Sequence, residues 1–355
     1  MSQLRYRQSG VGGQEGALSG ARRWLEPTLS FGRARTLAGF GHYAAVLELN
    51  ADLALAICTD GVGTKTVVAA ALDRLETIGF DCVAMNVNDI VCVGARPLAL
   101  VDYLGVHTLD ERRAASIFRG LADAATEAGI AIPGGEIAQL PDVIGSDGRA
   151  LGDPTAFDLV GTCVGTLDRR DLILGDQVRP GDALVGLASS GIHSNGLTLA
   201  RQALLESGTH RLHEYRAELG RTLGEELLEP TLIYVRPILQ LWDSGIETHG
   251  LAHITGDGLT NLARLNTGVG YRIVDLFEPP AIFGLIQKAG DVSDGEMFRV
   301  FNMGVGFVAI VPSDQVDATL EVATAAGHRA LRLGTVTDVP GELTIEPAGI
   351  ALAAD

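Results

Sequence analysis

The chain has 355 residues, 46% of them apolar, with a mean hydropathy of +0.22, enough to bury sizeable cores in two domains. Its 44 acidic against 27 basic residues give a formal charge of −17 and a pI near 4.8, which argues against non-specific binding to nucleic acid or to an anionic membrane. The longest apolar runs, such as Leu184 to Ala188 and Val305 to Val311, fall far short of the ~20 residues that span a bilayer, and Met1 to Gly20 lacks the apolar stretch of a secretory signal, so a cytoplasmic location is expected.

Residues 1–40 read as a glycine- and arginine-rich arm of weak periodicity, with a helix around Ala21 to Leu29. From Tyr43 the pattern tightens. Ala44 to Leu49 and Leu53 to Thr59 alternate like two strands joined at Asn50-Ala51-Asp52, and a helix follows over Thr66 to Leu72. A helical Thr77 to Val93, a strand at Pro97 to Leu104, a helix at Asp110 to Ala128 and a strand at Ile130 to Pro133 come next, and Phe157 to Leu167 closes the region as another strand. The turn-rich Asp176 to Asp182 separates this half from the next, so the division is an N-terminal domain over 41–172 and a C-terminal domain over 173–355. The second half opens with a strand at Ala183 to Ala188, a glycine loop and a helix reaching Leu205. A loop-to-helix unit at His253 to Leu265 follows, and then a strand at Gly304 to Val311, a helix at Gln315 to Ala326 and a strand at Leu331 to Val336. The fold class is α/β (α+β) in two domains.

Four segments carry chemistry. Thr59-Asp60-Gly61-Val62-Gly63-Thr64-Lys65 holds one of the two lysines in the chain. A compact ammonium suits a phosphate oxygen and the adjacent carboxylate suits the Mg²⁺ that a nucleotide brings, so a nucleotide-phosphate site is expected, against the alternative of a plain strand-ending turn. The glycines are too close together for a Walker A loop. Met85-Asn86-Val87-Asn88-Asp89 places polar oxygens on an apolar segment, where Asp89 needs a partner: a helix-internal hydrogen bond, a salt bridge with Arg96, or a Mg²⁺ shared with Asp60. Pro133-Gly134-Gly135-Glu136 reads as a strand-to-loop turn whose glycines let the backbone approach a ligand. Ser189 to Gly196 crowds hydroxyls, an amide and His193 into a loop feeding a helix, with Ser194 or Asn195 as N-cap. The echo of Asn195-Gly196-Leu197-Thr198-Leu199-Ala200-Arg201 in Asp257 to Arg264 suggests two helix starts suited to anions. Cys58, Cys82, Cys92 and Cys163 lack metal spacing and read as reduced core thiols.

These blocks, in this order, resemble the phosphoribosylformylglycinamidine cyclo-ligase (aminoimidazole ribonucleotide synthetase) family. The resemblance runs from Tyr6-Arg7-Gln8-Ser9-Gly10-Val11 through the four segments above, Glu229-Pro230-Thr231 and His253-Ile254-Thr255-Gly256, to Met297 to Gly306. It implies a homodimer that pairs its N-terminal sheets, with shared active sites. It implies ATP and Mg²⁺ as cofactors, and formylglycinamidine ribonucleotide as the small-molecule substrate closed to aminoimidazole ribonucleotide in purine biosynthesis. Residue by residue, Asp60 and Asp89 would hold the metal. Gly61, Gly63, Thr64, Lys65, Asn88, Gly134, Gly135 and Glu136 would meet the nucleotide, and His193, Ser194 and Asn195 the substrate. His193, Lys65 and Asp89 would take part in catalysis.

Two departures stand out. After the double glycine the family pattern Glu-Thr-Ala-Glu-Met-Pro becomes Glu136-Ile137-Ala138-Gln139-Leu140-Pro141, and the arm has Gly12 to Ala17 in place of an acidic run. They leave open a nucleotide-binding paralogue without turnover, or a related enzyme with another substrate. Against two such relatives, no cysteine precedes Cys58, as selenophosphate synthetase requires, and none lies near Asp355, as hydrogenase maturation requires.

Overall fold

The computed structural model describes residues 14–32, 34–145, 153–206 and 211–353. In the first half, helix α1 (Gln14–Leu25) runs into a 3-10 turn at Glu26–Ser30 that carries Pro27 in its first turn, so the expected helix starts earlier and breaks sooner. The sheet elements are β1 (Thr36–Ala38), β2 (Ala45–Glu48), β3 (Leu53–Gly61), β4 (Arg96–Val106), β5 (Ala131–Gln139) and β6 (Phe157–Asp168), in the order β1-β2-β3-β6-β4-β5. All neighbours are antiparallel except β4 and β5, which are joined by a helical crossover.

Between these strands lie α2 (Lys65–Leu72), α3 (Glu76–Cys92) and α4 (Glu111–Ala128). Helix α3 is buried on nearly every side, as expected of a helix packed against a sheet on one side and a second domain on the other. Its crossing with α4 is very close: a Cβ on Gly120 would lie 1.8 Å from the Glu76 carbonyl oxygen. Asp110 caps α4 by accepting from the Arg113 N–H, and Gly129 ends it at φ +70°.

The second half contains β7 (Ala183–Ala188), α5 (Leu197–Arg201) continued by a π turn at Gln202–Glu206, β8 (Tyr215–Arg216), β9 (Arg221–Thr222), α6 (Leu223–Leu227), α7 (Val235–Asp243), β10 (Gly250–His253), a 3-10 helix at Gly258–Arg264 and β11 (Gly270–Ile273). It continues with α8 (Ala281–Gly290), α9 (Asp294–Val300), β12 (Val305–Val311), α10 (Val316–Ala325), β13 (Ala330–Thr337), β14 (Glu342–Ile345) and β15 (Ile350–Ala353). Among the described residues its sheet has the order β10-β12-β7-β13-β11-β14-β15. Every residue of β7 and β12 is buried, which explains why both read as unbroken apolar runs rather than alternating ones. The four cysteines are free and buried.

Two expectations are corrected here. Pro133 to Glu136 is not a turn but the middle of β5, in parallel register with Val101 to Tyr103 of β4. The N-cap of α5 is Gly196 at φ +72°, with no side-chain cap, so neither Ser194 nor Asn195 has that role.

Candidate active site

The end of β3 is fastened to α3 by Asn86. Its Oδ1 accepts the Asp60 N–H at 3.1 Å, and its Nδ2 donates to the Asp60 carbonyl at 3.1 Å and to the Cys82 carbonyl at 2.9 Å. A β-carbon on Gly161 of the neighbouring strand would lie 2.7 Å from that amide, so only glycine leaves it room. Asp89 sits one turn further along α3, and its carboxylate is thereby placed within electrostatic reach of Asp60. Burial, and next the charge of Asp89, push the Asp60 carboxyl up to about 6. Asp60 Oδ1 accepts the Gly61 N–H at 2.8 Å.

Asp89 takes its own partner from the other half of the chain. His253, at the end of β10, has Nδ1 2.9 Å from Asp89 Oδ1 and is fully buried. Arg96, the alternative partner, is paired with Asp243 instead. Arg264 closes the cluster: its Nη2 lies 2.6 Å from Asp257 Oδ2 and its guanidinium carbon 5.3 Å from the Tyr43 ring centre. Its charge is felt at both Asp60 and Asp89.

Among the described residues no group of three or more His, Cys, Asp or Glu is arranged to hold a metal ion. Two neighbouring carboxylates, Asp89 raising the cost of ionising Asp60, are nevertheless the donor set Mg²⁺ accepts when phosphate oxygens and water supply the rest. The pair fits a metal that arrives with a nucleotide and does not fit a resident one.

Other expected site residues are placed differently. Lys65 lies at the start of α2 with no exposure; its Nζ is 2.7 Å from Asp81 Oδ2 and donates to the Glu229 carbonyl at 2.6 Å. Burial lowers the Lys65 pKa, and Asp81 opposes that shift. Its ammonium is spent inside the protein, so the expectation that it neutralises phosphate is corrected. Asp81 also accepts the N–H and the hydroxyl of Thr231, each at 2.7 Å, which turns the pair into a tie between the two halves.

Asn88 is likewise internal. It donates to the Leu232 carbonyl at 2.9 Å and accepts the Tyr234 N–H at 2.8 Å, so its amide is committed to the inter-domain seam rather than to a nucleotide. Thr64 Oγ1 is 3.0 Å from Thr198 Oγ1 across the same seam. Gly63 has φ +69° with open space around it.

Gly134 is open, whereas a Cβ on Gly135 would lie 2.3 Å from Asp102 Oδ1, so that glycine makes room for a buried carboxyl. Glu136 is exposed.

His193 is buried, with φ +64°. The Ser190 N–H donates to its Nε2 at 3.2 Å, and Nδ1 has no partner. Burial holds its pKa well below the usual imidazole value. Burial thus keeps the ring neutral within its own loop. Ser194 Oγ is 3.3 Å from Thr231 Oγ1, and Asn195 Nδ2 is 3.9 Å from the sulfur of Met85. Asn302 locks this loop from behind, donating to the Gly191 carbonyl at 2.8 Å and accepting the Ser189 hydroxyl at 2.9 Å.

Sequence reasoning missed Asn86, Arg264 and His253 as site builders. Asn86 precedes Asp89 by one helical turn, and Arg264 ends the second glycine echo; both were visible signals. A cavity of about 690 Å³ lies elsewhere, between the segment 168–177 and Trp242 to His249, and none of the expected site residues lines it.

Comparisons with known proteins identify the family and the fold. Residues 41–167 match the family model "AIR synthase related protein, N-terminal domain" and residues 179–346 its C-terminal counterpart. A phosphoribosylformylglycinamidine cyclo-ligase from Methanothermobacter thermautotrophicus is 46% identical over 343 residues, covering 96% of each chain. One from Thermococcus gammatolerans is 47% identical over 356 residues, covering 98% of this chain and all of the relative. Among solved structures, thiamine-monophosphate kinase from Stenotrophomonas maltophilia superposes with a TM-score of 0.60 at 21% identity, covering 93% of this chain and 97% of that one. The hydrogenase maturation protein HypE in complex with ATP does so with a TM-score of 0.59 at 21% identity, covering 88% and 87%. At such identities the two structures speak for the fold.

Proposed function

The chain belongs to the phosphoribosylformylglycinamidine cyclo-ligase family, and we propose that the Asp60–Asp89 cluster between its two sheets is where the family's reaction takes place here. The chain is an ATP-dependent ligase of purine biosynthesis: formylglycinamidine ribonucleotide is closed to aminoimidazole ribonucleotide with release of ADP and phosphate. The observation that carries the site assignment is that Asn86 and His253, from opposite halves of the chain, both serve to aim this carboxylate pair.

When bound, Mg²⁺ would supply charge neutralisation on the nucleotide phosphates, with Asp60 and Asp89 as its protein ligands. Phosphoryl transfer asks a protein mainly for positioning and electrostatic stabilisation. The chain's own part is to hold the two carboxylates in place, Asp60 beside the glycine turn Gly61 to Thr64 and Asp89 against His253 of the second half. Ser194 and Asn195, on the loop held by Asn302, face the same seam and bind the ribonucleotide. Gly134 and Glu136, on the exposed edge strand β5, contact nucleotide from the partner's side. This reading keeps the division into an arm over 1–40, a nucleotide and dimerisation domain over 41–172 and a second domain over 173–355.

The proposed homodimer is supported by the exposed apolar face of the first sheet. Val101 and Tyr103 are 44% and 39% exposed and alternate with buried Leu100, Asp102 and Leu104 along β4. Among the described residues the helices α3 and α4 pack against this sheet, and an exposed apolar sheet surface of this kind calls for a partner. No helix among the described residues is long and apolar enough to cross a membrane, and the reading places the enzyme in the cytoplasm.

The test is purified protein with ATP, Mg²⁺ and formylglycinamidine ribonucleotide, following ADP and the diazo-coupled colour of the aminoimidazole. Colour matched one for one by ADP is expected. ADP release without colour would overturn the substrate assignment.

A further inference from the structure

The correction at Lys65 leaves the site without the cation expected for it. A phosphate seated beside two carboxylates, in a chain of formal charge −17, needs a positive group besides any metal. Lys65 cannot turn to it without abandoning Asp81 in the interior, which is strongly unfavourable.

Arg264 meets the requirement. It ends the 3-10 helix Gly258–Arg264 in the second half of the chain, and its guanidinium lies over the ring of Tyr43, a residue of the first half. The Tyr43 hydroxyl donates to the Asn261 carbonyl at 3.3 Å, so the aromatic platform is itself pinned to that helix. The guanidinium offers five donors, and its one side-chain hydrogen bond among the described residues goes from Nη2 to Asp257. The side chain is 36% exposed, so a ligand can reach it. Stacked planar guanidinium, tethered at one corner, is the arrangement in which arginine binds phosphate with little loss of side-chain freedom.

We propose that Arg264 is the phosphate-binding cation of the site, presented across the domain boundary to a phosphate held beside Asp60 and Asp89. This rests on the assignment of the cluster as the site of reaction. Two reactants carry suitable phosphates, the polyphosphate of ATP and the 5′-phosphate of the ribonucleotide, and the experiment separates them.

Full-length wild type, Arg264→Gln and Arg264→Lys are titrated calorimetrically with Mg-ATP, with formylglycinamidine ribonucleotide, and with adenosine and the phosphate-free riboside. Arg264→Gln is expected to weaken one of the two phosphate-bearing ligands by about 30-fold while its phosphate-free counterpart changes less than twofold, and Arg264→Lys recovers part of the loss. The ligand that responds identifies the source. Asp257→Asn supplies an opposite sign: freeing the guanidinium should tighten that same ligand about threefold, and should do nothing in the Arg264→Gln background.

Arg264→Gln binding both phosphate ligands within twofold of a wild type that binds them overturns the proposal. So does an equal loss for the phosphate-free compounds, which marks a structural role. A wild type that binds neither phosphate ligand overturns the site assignment itself.

Discussion

His253 Nδ1 lies 2.9 Å from Asp89 Oδ1, a hydrogen bond that joins the last residue of a strand in one half of the molecule to a helix of the other. The carboxylate is an acceptor only, so the imidazole proton is on Nδ1. Its ring also stacks on Phe307 at 6.2 Å between centres. One oxygen of Asp89 is thus held fixed.

If that bond orients a metal ligand, His253→Phe should raise the Mg²⁺ concentration that half-saturates ATP binding by about tenfold. His253→Asn, which can still donate from a similar position, should stay within about threefold. Titrating Mg²⁺ at fixed ATP measures both. An unchanged Mg²⁺ requirement in His253→Phe would remove His253 from the site.

The acid side of the pH profile should belong to Asp60. With its carboxyl at about 6 in the folded protein, against an ordinary value of 3.8, affinity for Mg-ATP should fall as pH drops below about 6. His193, held neutral by burial, should contribute no inflection near 6.5. Stability runs the other way. A folded pKa above the unfolded one gives stabilisation that is complete below pH ~4 and lost as pH rises through about 6. Asp60→Asn should therefore stabilise the ligand-free protein by about 1–2 kcal/mol at pH 7.5 and by nothing at pH 4. Thermal unfolding midpoints at the two pH values decide it, and a lower midpoint at pH 7.5 would count against the raised pKa.

Lys65→Met tests the internal role of that lysine. Stranding the Asp81 carboxylate should cost about 3–5 kcal/mol, with part regained in Lys65→Met/Asp81→Asn. Nucleotide affinity of the folded fraction should stay within about threefold. A tenfold weaker ATP affinity at an unchanged unfolding midpoint would return Lys65 to the phosphate.

Gly306→Ala should destabilise by about 2–3 kcal/mol in urea unfolding. Its methyl would fall 1.9 Å from the Tyr234 hydroxyl and 2.8 Å from His193 Cε1, and the Tyr234 hydroxyl has no slack because it donates to the Ala188 carbonyl at 2.8 Å. Wild-type stability would mean that the strand shifts to accept the methyl.

Val101→Glu, a charge on the open sheet face, should shift the protein from dimer to monomer in sedimentation velocity while leaving its far-ultraviolet circular dichroism intact. A dimer that persists would move the interface elsewhere.

The sequence by itself determined most of the elements, because their signals are local. Alternation marks β2 and β6, unbroken apolar runs mark β7 and β12, and helical spacing marks α3 and α4. Short elements such as β10 and α9 carry too few residues for a period to register, and the continuation of β5 beyond Pro133 looked like a turn because Gly134 and Gly135 lack the side chains that mark a strand. The same local chemistry singled out Asp60 and Asp89. The N-terminal block Tyr6 to Val11, with Gly12 and Gly13 of the altered arm, lies outside the described residues.

Only the tertiary structure decided how the charges are spent. An ammonium in a glycine-rich turn looks the same in sequence whether it meets a phosphate or a buried carboxylate, and Asp81 stands 16 positions from Lys65 with nothing local to link them. The partners of Asp89 and Asn88 are more than 140 positions away. Which charge is neutralised inside and which is left for a ligand depends on contacts between the two halves, and those contacts exist only once both sheets have formed and packed on α3.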